Sequence, residues 1–168
     1  TVLFPGTALP LRVGRSKSIA AVEQAQAADK PQEGYIVAIA QKEDQLAGDP
    51  KQEPTAADLR QVCVLCKIEK IRGSREQGYK VLVRGVSRFK INEWRENSGV
   101  IRAQGFEWND QLDADAKTQG ALLDSLKTLA REILELVPGD TAQLAELVGS
   151  IEDLPLLTHL VSSNLEIP

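Results

Sequence analysis

The sequence is poor in the residues that most often carry chemistry or bind metals. It contains two cysteines and one histidine, which together fall short of the four ligands of a structural zinc site. The motifs GxxxxGK[ST], GxGxxG and HExxH are absent. His159 lies in a leucine-rich helical pattern without a neighbouring group to orient it as a base, and is predicted to be structural or on the surface. We therefore assign no catalytic, cofactor-binding or metal-binding residues, and expect no enzyme activity from this chain.

Long apolar runs are also missing. No run approaches the roughly 18 residues that a membrane-spanning helix needs, and no signal peptide is present. The chain starts at Thr1 and its pattern begins abruptly, which we interpret as a piece of a longer protein. Its composition, with 42% apolar and 26% charged residues, is that of an ordinary globular domain.

Basic residues are slightly fewer than acidic ones, 20 against 24. The net charge is −4 and the isoelectric point about 5.1, so a nucleic-acid partner is not expected. The basic cluster Arg12, Arg15 and Lys17 is short and has no interleaved aromatic residues. We interpret it as a solvated surface, with an anionic or interdomain contact as the alternative.

The two cysteines, Cys63 and Cys66, form the motif CVLC, a spacing that redox and zinc sites also use. The surrounding residues QVCVLCKIEKI predict a strand, in which residues three apart point to opposite faces. The motif therefore predicts two buried thiols that bind no metal, in a reducing compartment.

Alternating apolar residues predict strands in the first part of the chain. Ala8–Val13 contains Pro10, which lacks a backbone N–H and is expected on an edge strand or at a bulge. The continuous apolar run Gly34–Gln41 predicts a strand buried on both faces. Residues 62–71 and 78–91 predict one hairpin, with Gly85 marking a bulge or corner, and a second hairpin is centred on RENSG.

Other segments of this part predict a helix, a loop and a turn. A helix is expected after Arg15 or Ser16 as N-cap, burying Ile19, Val22 and Ala25 on one face. Residues 42–54 predict a long exposed loop. The following TAAD predicts one helical turn in which Thr55 and Asp58 cap each other.

The apolar period changes near Asp110 from that of strands to that of helices. A long helix is expected up to Pro138-Gly139, followed by two shorter ones that begin at Asp140 and Asp153. The apolar row of the long helix is predicted to be its buried seam: Leu122, Leu126, Leu129, Ile133 and Leu136. On the next helix, Leu144, Leu147, Val148 and Ile151 are predicted to share a buried face. Residues 1–109 therefore predict a β-rich unit and residues 110–168 an α-helical bundle, an α+β organisation.

Several segments together resemble the N-terminal (LON) domain of the ATP-dependent Lon protease family. They are VLFPG, LPLRVGR followed by KSI, IVAIAQKE, PTAADLRQV, YKVLVRGVSRFKI and DLPLLTHLVSSNL, and they cover almost the whole chain. The resemblance implies a PUA-like β pseudo-barrel with one or two helices, followed by a C-terminal α-helical bundle that continues beyond this sequence. On physical grounds the prolines and glycines of the first segments are folding signals and carry no catalysis.

The resemblance also implies a function. In that family the domain is a non-catalytic part of a hexameric AAA+ machine, where it recognises and holds unfolded or damaged proteins and supports assembly. The ATPase, which uses ATP and magnesium, and the Ser-Lys peptidase lie further along the family's chain. A cytoplasmic location and no contact with a membrane are expected.

Two other functions stay open at this point. A stand-alone LON-domain interaction protein without an attached protease would share this stretch of sequence, and an RNA-binding module would follow from the PUA-like fold by analogy. The candidate polypeptide-binding residues are Trp94, Trp108 and Arg15. For the two tryptophans, packing in the core against the long helix is the alternative interpretation.

Overall fold

A computed structural model describes residues 2–27, 34–42, 53–97 and 99–164 of the chain. The chain divides into two units, Thr1–Asn109 and Asp110–Pro168. The described residues form an α+β fold with one antiparallel sheet and four α-helices. Most of the predicted 42–54 loop lies outside the described residues.

The longest strand organises the first unit. The strands are β1 (Ala8–Val13), β2 (Tyr35–Ala38), β3 (Val62–Ser74), β4 (Gly78–Asn97) and β5 (Val100–Glu107), and helix α1 spans Ser16–Gln26. The strand order is β1-β4-β3-β2, and β5 also pairs with β4. Both predicted hairpins are confirmed as the antiparallel pairs β3–β4 and β4–β5. They share one uninterrupted strand, because β4 belongs to both.

The ends of the sheet explain one confirmed prediction and one wrong one. β1 ends the strand order, so Pro10 lies on an edge strand, as its missing N–H predicts. β2 ends the order at the other side, and its residues are exposed or half-buried. The prediction that Gly34–Gln41 is buried on both faces is therefore wrong. A continuous apolar run indicates burial on both faces only where other elements cover both faces of the sheet.

Helix α1 covers the sheet with the face that its spacing predicts. Ile19, Val22 and Ala25 are buried, and Val22 packs with Val81 and Val83 of β4 in the main core. Arg15 occupies the N-cap position but its side chain makes no capping bond. Instead, the Ser16 N–H donates to Glu53 Oε1 at 2.6 Å. A distant carboxylate thus satisfies the helix N-terminus and opposes its positive dipole end.

The predicted turn after the loop is present as a short 3₁₀ helix, Ala56–Asp58. The Asp58 carboxylate accepts hydrogen bonds from the Thr55 N–H at 2.8 Å and from its hydroxyl at 2.7 Å. These bonds to the charged form lower the pKa of Asp58. The pair therefore closes the turn that leads into β3.

Two of the motif segments meet in a close backbone contact. Gly6 has a φ of +78° in the Pro5-Gly6 turn, and the turn is closed by the Thr7 hydroxyl donating to Phe4 O at 2.7 Å. Gly85 of β4 exchanges hydrogen bonds with this turn, donating to Thr7 O at 2.9 Å and accepting from the Gly6 N–H at 2.9 Å. A Cβ at Gly85 would collide with the carbonyl of Phe4. The predicted bulge is present beside this contact, where Val86 has no partner in the register with β3.

The second unit contains three helices, α2 (Ala116–Leu136), α3 (Ala142–Ser150) and α4 (Leu154–Asn164). Asp115 caps α2 by accepting from the Thr118 N–H at 2.8 Å. Asp153 caps α4 as predicted, accepting from the Leu156 N–H at 2.7 Å. For α3 the N-cap position is Thr141, but the side chain that bonds to the helix N-terminus is the predicted one: Asp140 Oδ1 accepts from the Ala142 N–H at 3.1 Å.

The buried face of α2 is not the predicted one. Ala130 of α2, Val148 of α3 and Leu157 of α4 form the buried centre, and Leu123, Leu126 and Leu134 pack against it. Of the predicted seam, Leu126 is half-buried. The other four members are exposed: Leu122, Leu129, Ile133 and Leu136. Leu144 and Leu147 of α3 are exposed as well. A small residue, Ala130, lets α3 and α4 approach α2 closely, so the row that contains it is the one that packs.

The contact at Gly85 generates the first prediction. Gly85→Ala should lower the free energy of unfolding by about 1–3 kcal/mol, because the added methyl meets backbone that cannot rotate away. Chemical denaturation of the purified chain measures the change. Gly14→Ala is the control, since nothing lies within 4 Å of a Cβ there. If Gly85→Ala and Gly14→Ala lower the free energy of unfolding equally, the close approach of Gly85 to Phe4 is contradicted.

The corrected helix face generates the second prediction. Leu157 is 0% exposed and Leu129 is 55% exposed. Leu157→Ala should therefore cost about 2–5 kcal/mol of unfolding free energy, and Leu129→Ala less than about 1 kcal/mol. The same denaturation experiment compares the two leucines directly. A Leu129 variant as unstable as the Leu157 variant would restore the predicted seam.

Candidate functional site

The cysteine pair lies in β3 and is inaccessible. Both thiols are free and buried. Cys66 packs in the main core beside Val64, and its thiol donates to Val64 O at 3.2 Å. The Cys63 thiol donates to Phe89 O at 3.4 Å. The predicted burial is confirmed, and the absence of a bound metal stays a prediction.

Burial also makes the thiols unreactive. It raises the pKa of Cys63 to about 12, with the neighbouring Cys66 thiolate adding to the effect, and it raises the pKa of Cys66 to about 11. Thiolate is the reactive form of cysteine. Neither residue can therefore serve as a nucleophile near neutral pH.

The single histidine is part of the interior of the second unit. His159 is buried in α4, and its Nε2 lies 3.7 Å from Asp110 Oδ2. Asp110 precedes α2 and the histidine lies on α4, so the pair connects the beginning and the end of this unit. This position fits the predicted structural role.

The basic cluster near the chain start is engaged with other parts of the first unit. Arg15 Nη1 donates to Gln41 Oε1 at 3.2 Å, and Lys17 Nζ lies 2.9 Å from Glu96 Oε1. These bonds join the beginning of α1 to the segment after β2 and to the end of β4. Arg15 is half-buried, so its contacts resemble those of a structural residue more than those of an open binding surface.

The two candidate tryptophans lie on opposite faces of the β4–β5 hairpin. Trp94 is opposite Ala103 and shares its face with Glu96, the residue that contacts Lys17 of α1. The Trp108 N–H donates to Arg88 O at 2.8 Å, which continues the ladder beyond β5. Because neighbouring residues in a strand alternate, Trp108 shares the other face with Phe106. Trp94 is half-buried, whereas Trp108 is 36% and Phe106 48% exposed.

The exposed side of this hairpin combines aromatic and basic side chains. We call it the hairpin face and define it by Arg88, Lys90, Arg102, Phe106 and Trp108. Lys90 lies directly opposite Phe106, and its ammonium group lies 4.5 Å from the centre of the Trp108 ring. This cation–π contact holds the indole ring against the sheet.

Sequence reasoning identified one member of the hairpin face, Trp108, and missed the other four. The alternation in GFEW places Phe106 and Trp108 on one side, and that signal was available in the sequence. Arg88 and Lys90 join them through the register of β4 with β5, which depends on where each strand turns. Arg15 and Trp94 are not part of this surface.

Other kinds of site find little support. In the described ranges, no three His, Cys, Asp or Glu side chains are grouped so that they could hold a metal ion. None of the described helices combines the length and the apolar character that crossing a membrane requires.

Comparison with known proteins identifies the family of this chain. The family described as the ATP-dependent protease La (LON) substrate-binding domain matches residues 1–168. The chain belongs to this family. The resemblance carried by the FPG, VGR and KVLVRG segments is thereby confirmed, and their conspicuous glycines include the pair that meets at Gly6 and Gly85.

Relatives of this Lon substrate-binding domain include proteins named Lon protease. The chain is 34% identical over 167 residues to Lon protease 1 of Bdellovibrio bacteriovorus, covering 99% of the chain and 20% of that protein. It is 40% identical over 168 residues to Lon protease of Elusimicrobium minutum, covering 98% of the chain and 19% of that protein. The chain thus spans about a fifth of the length of these relatives.

The fold is similar to that of a solved Lon domain. The N-terminal domain of the Mycobacterium avium complex Lon protease superimposes with a TM-score of 0.76 at 19% identity. The match covers 100% of this chain and 80% of the solved one.

The buried thiols generate the third prediction. In the unfolded chain they ionise near the ordinary value of 9.0, but in the folded chain they stay protonated up to about 11 to 12. Their contribution to stability is therefore complete below pH 9 and is lost as the pH rises above it. Urea melts at several pH values across this range measure the free energy of unfolding. It should fall more steeply with pH for the natural chain than for the Cys63→Ala/Cys66→Ala variant. If the free energies of unfolding of the two chains fall in parallel as the pH rises, the thiols are not buried.

Proposed function

We propose that this chain recognises and holds unfolded or damaged proteins for an ATP-dependent Lon protease, and is itself non-catalytic. The family to which it belongs is described as the substrate-binding domain of that protease. The hairpin face is the observation that links the proposal to particular residues, because Phe106 and Trp108 are exposed there at the β4–β5 hairpin. Exposed aromatic residues on a fixed scaffold contact apolar segments at a low entropic cost.

The parent protein is proposed to carry the remaining activities. Its AAA+ ATPase would use ATP and magnesium, its Ser-Lys peptidase would cut the substrate, and its subunits would form a cytoplasmic homohexamer. The relatives that match the whole chain are named Lon proteases, and this chain corresponds to about a fifth of each. A stand-alone interaction protein is therefore not favoured.

The finer architecture also belongs to this proposal. We infer that the sheet is part of a PUA-like pseudo-barrel, because the long strand β4 pairs with β1 and β3 over its first half and with β5 over its second half. We infer that α2, α3 and α4 belong to a larger helical bundle of the parent chain, with the exposed row of α2 (Leu122, Leu129, Ile133 and Leu136) left for contacts with other subunits. Leu136, at 84% exposure, is the most exposed member of that row.

The exposed row also supports a role in assembly. Four large apolar side chains on one side of a single helix are more than an isolated surface helix usually shows. Contacts between apolar faces of this kind stabilise larger assemblies, because they remove apolar surface from water.

The fourth prediction tests substrate recognition. The chain should bind a reduced, carboxymethylated protein that cannot fold, and should not bind the native form of the same protein. Fluorescence anisotropy of the labelled client measures both affinities. Trp108→Ala should weaken binding to the unfolded form by about tenfold, because an exposed aromatic contact is lost.

Tyr35→Ala is the matched control. Tyr35 is as exposed as Trp108, at 36%, but lies in β2 at the far end of the strand order. Tyr35→Ala should leave the affinity for the unfolded client unchanged. Circular dichroism should show that the Trp108→Ala and Tyr35→Ala variants are both folded. Equal binding of folded and unfolded client by the natural chain would refute the proposed function.

A further inference from the structure

The hairpin face continues along the hairpin as a positively charged surface. Glu93 lies opposite Gln104, and Arg95 lies opposite Arg102, so these side chains share the face with Lys90 and Phe106. Arg88, Arg95 and Arg102 are exposed, and Lys90 is half-buried. The extended face thus has four cationic side chains.

Among the described residues of the hairpin strands, Glu93 is the carboxylate on this face. Glu93 accepts two hydrogen bonds from Arg95 at 3.1 Å each, so its charge is offset by that neighbour. The other acidic residues of the hairpin, Glu96 and Glu107, lie on the opposite face. A chain with a net charge of −4 therefore concentrates positive charge beside its exposed aromatic residues.

The second edge of β5 is a further feature of the hairpin. β5 pairs with β4, and no described residue pairs with its other edge. Alternate N–H and C=O groups of an edge strand point outward and can bond to a further extended chain. Such a chain would place every second side chain next to the hairpin face.

From these features we propose that the β5 edge and the hairpin face take an extended acidic segment of a client polypeptide. Main-chain hydrogen bonds to β5 hold the segment, a carboxylate pairs with Arg102, and an apolar side chain packs on Phe106. Arg102 and Phe106 are four residues apart on the same face. The preferred segments therefore carry Asp or Glu and an apolar residue at the same spacing. This inference rests on the proposed function and names its substrate class.

The strand edge favours a polypeptide over a single-stranded nucleic acid. A nucleic acid offers phosphate charges and bases but no row of amide groups to complete a β-ladder. The negative net charge of the chain also repels a polyanion at long range, whereas a short acidic segment is attracted by the local face.

Labelled peptides test the preference. One short peptide carries Asp and Phe four residues apart, a second replaces Asp by Lys, and a third changes the spacing by one residue; an oligothymidylate is the fourth probe. The first peptide should bind at least about threefold more tightly than the second and the third. Amide exchange of β5 residues should slow when it binds, because its backbone covers the free edge.

Charge-reversal variants identify the surface. Arg102→Glu should weaken binding of the acidic peptide about tenfold and should strengthen binding of the Lys peptide. Arg72→Glu, a change at an exposed strand arginine of β3, should do neither.

Other results overturn the inference. Equal binding of the acidic and Lys peptides, equal effects of the two variants, or preferential binding of the oligothymidylate would each exclude an acidic polypeptide segment as the occupant. If the unfolded carboxymethylated client still binds in these cases, the proposed function stands without this preference. If no unfolded client protein binds, both the proposed function and the preference for acidic segments are refuted.

Discussion

The backbone contact between Gly85 and the Phe4–Thr7 turn is the constraint on which the first unit depends. It positions the beginning of β1 against β4, since Gly85 both donates to and accepts from this turn. The space for a Cβ is missing, so a larger residue would have to push the two segments apart. β4 bulges at the next residue and then continues to the β5 hairpin. This contact thus aligns the edge strand β1 with β4, the strand with which β1, β3 and β5 all pair.

The elements of the fold and the buried face of α1 were predictable, whereas the buried face of α2 was not. Alternation and capping residues located the hairpins, α1 and the ends of α2. In α2, however, two apolar rows run side by side, one through Leu129 and one through Ala130. The row of larger residues is the more hydrophobic, but the row with Ala130 allows α3 and α4 to approach. The apolar periodicity of the sequence identifies the rows, whereas the close packing of side chains decides which row is buried.

The candidate site was predictable only in part for a similar reason. Composition singled out both tryptophans, but whether they share a surface depends on strand register. Ile91 pairs with Gly105 and Glu93 with Gln104, so Asn92 is an extra residue on β4. A bulge of this kind reverses the side on which all later residues of the strand lie. Sequence spacing along β4 therefore cannot connect Lys90 to Arg95 unless the bulge is known.

The separation of core and exposed surface within the same hairpin has a functional consequence. Ile91 and Trp94 face the side of α1 and are buried or half-buried, whereas Phe106 and Arg102 on the other face are exposed. Substitutions on the exposed face remove few packing contacts, so their cost in folding free energy is small. Charge and aromatic content there can change without loss of the sheet. A recognition surface on the outside of a hairpin can thus adapt to different client sequences, while the Gly85 contact and the core residues keep its backbone in place.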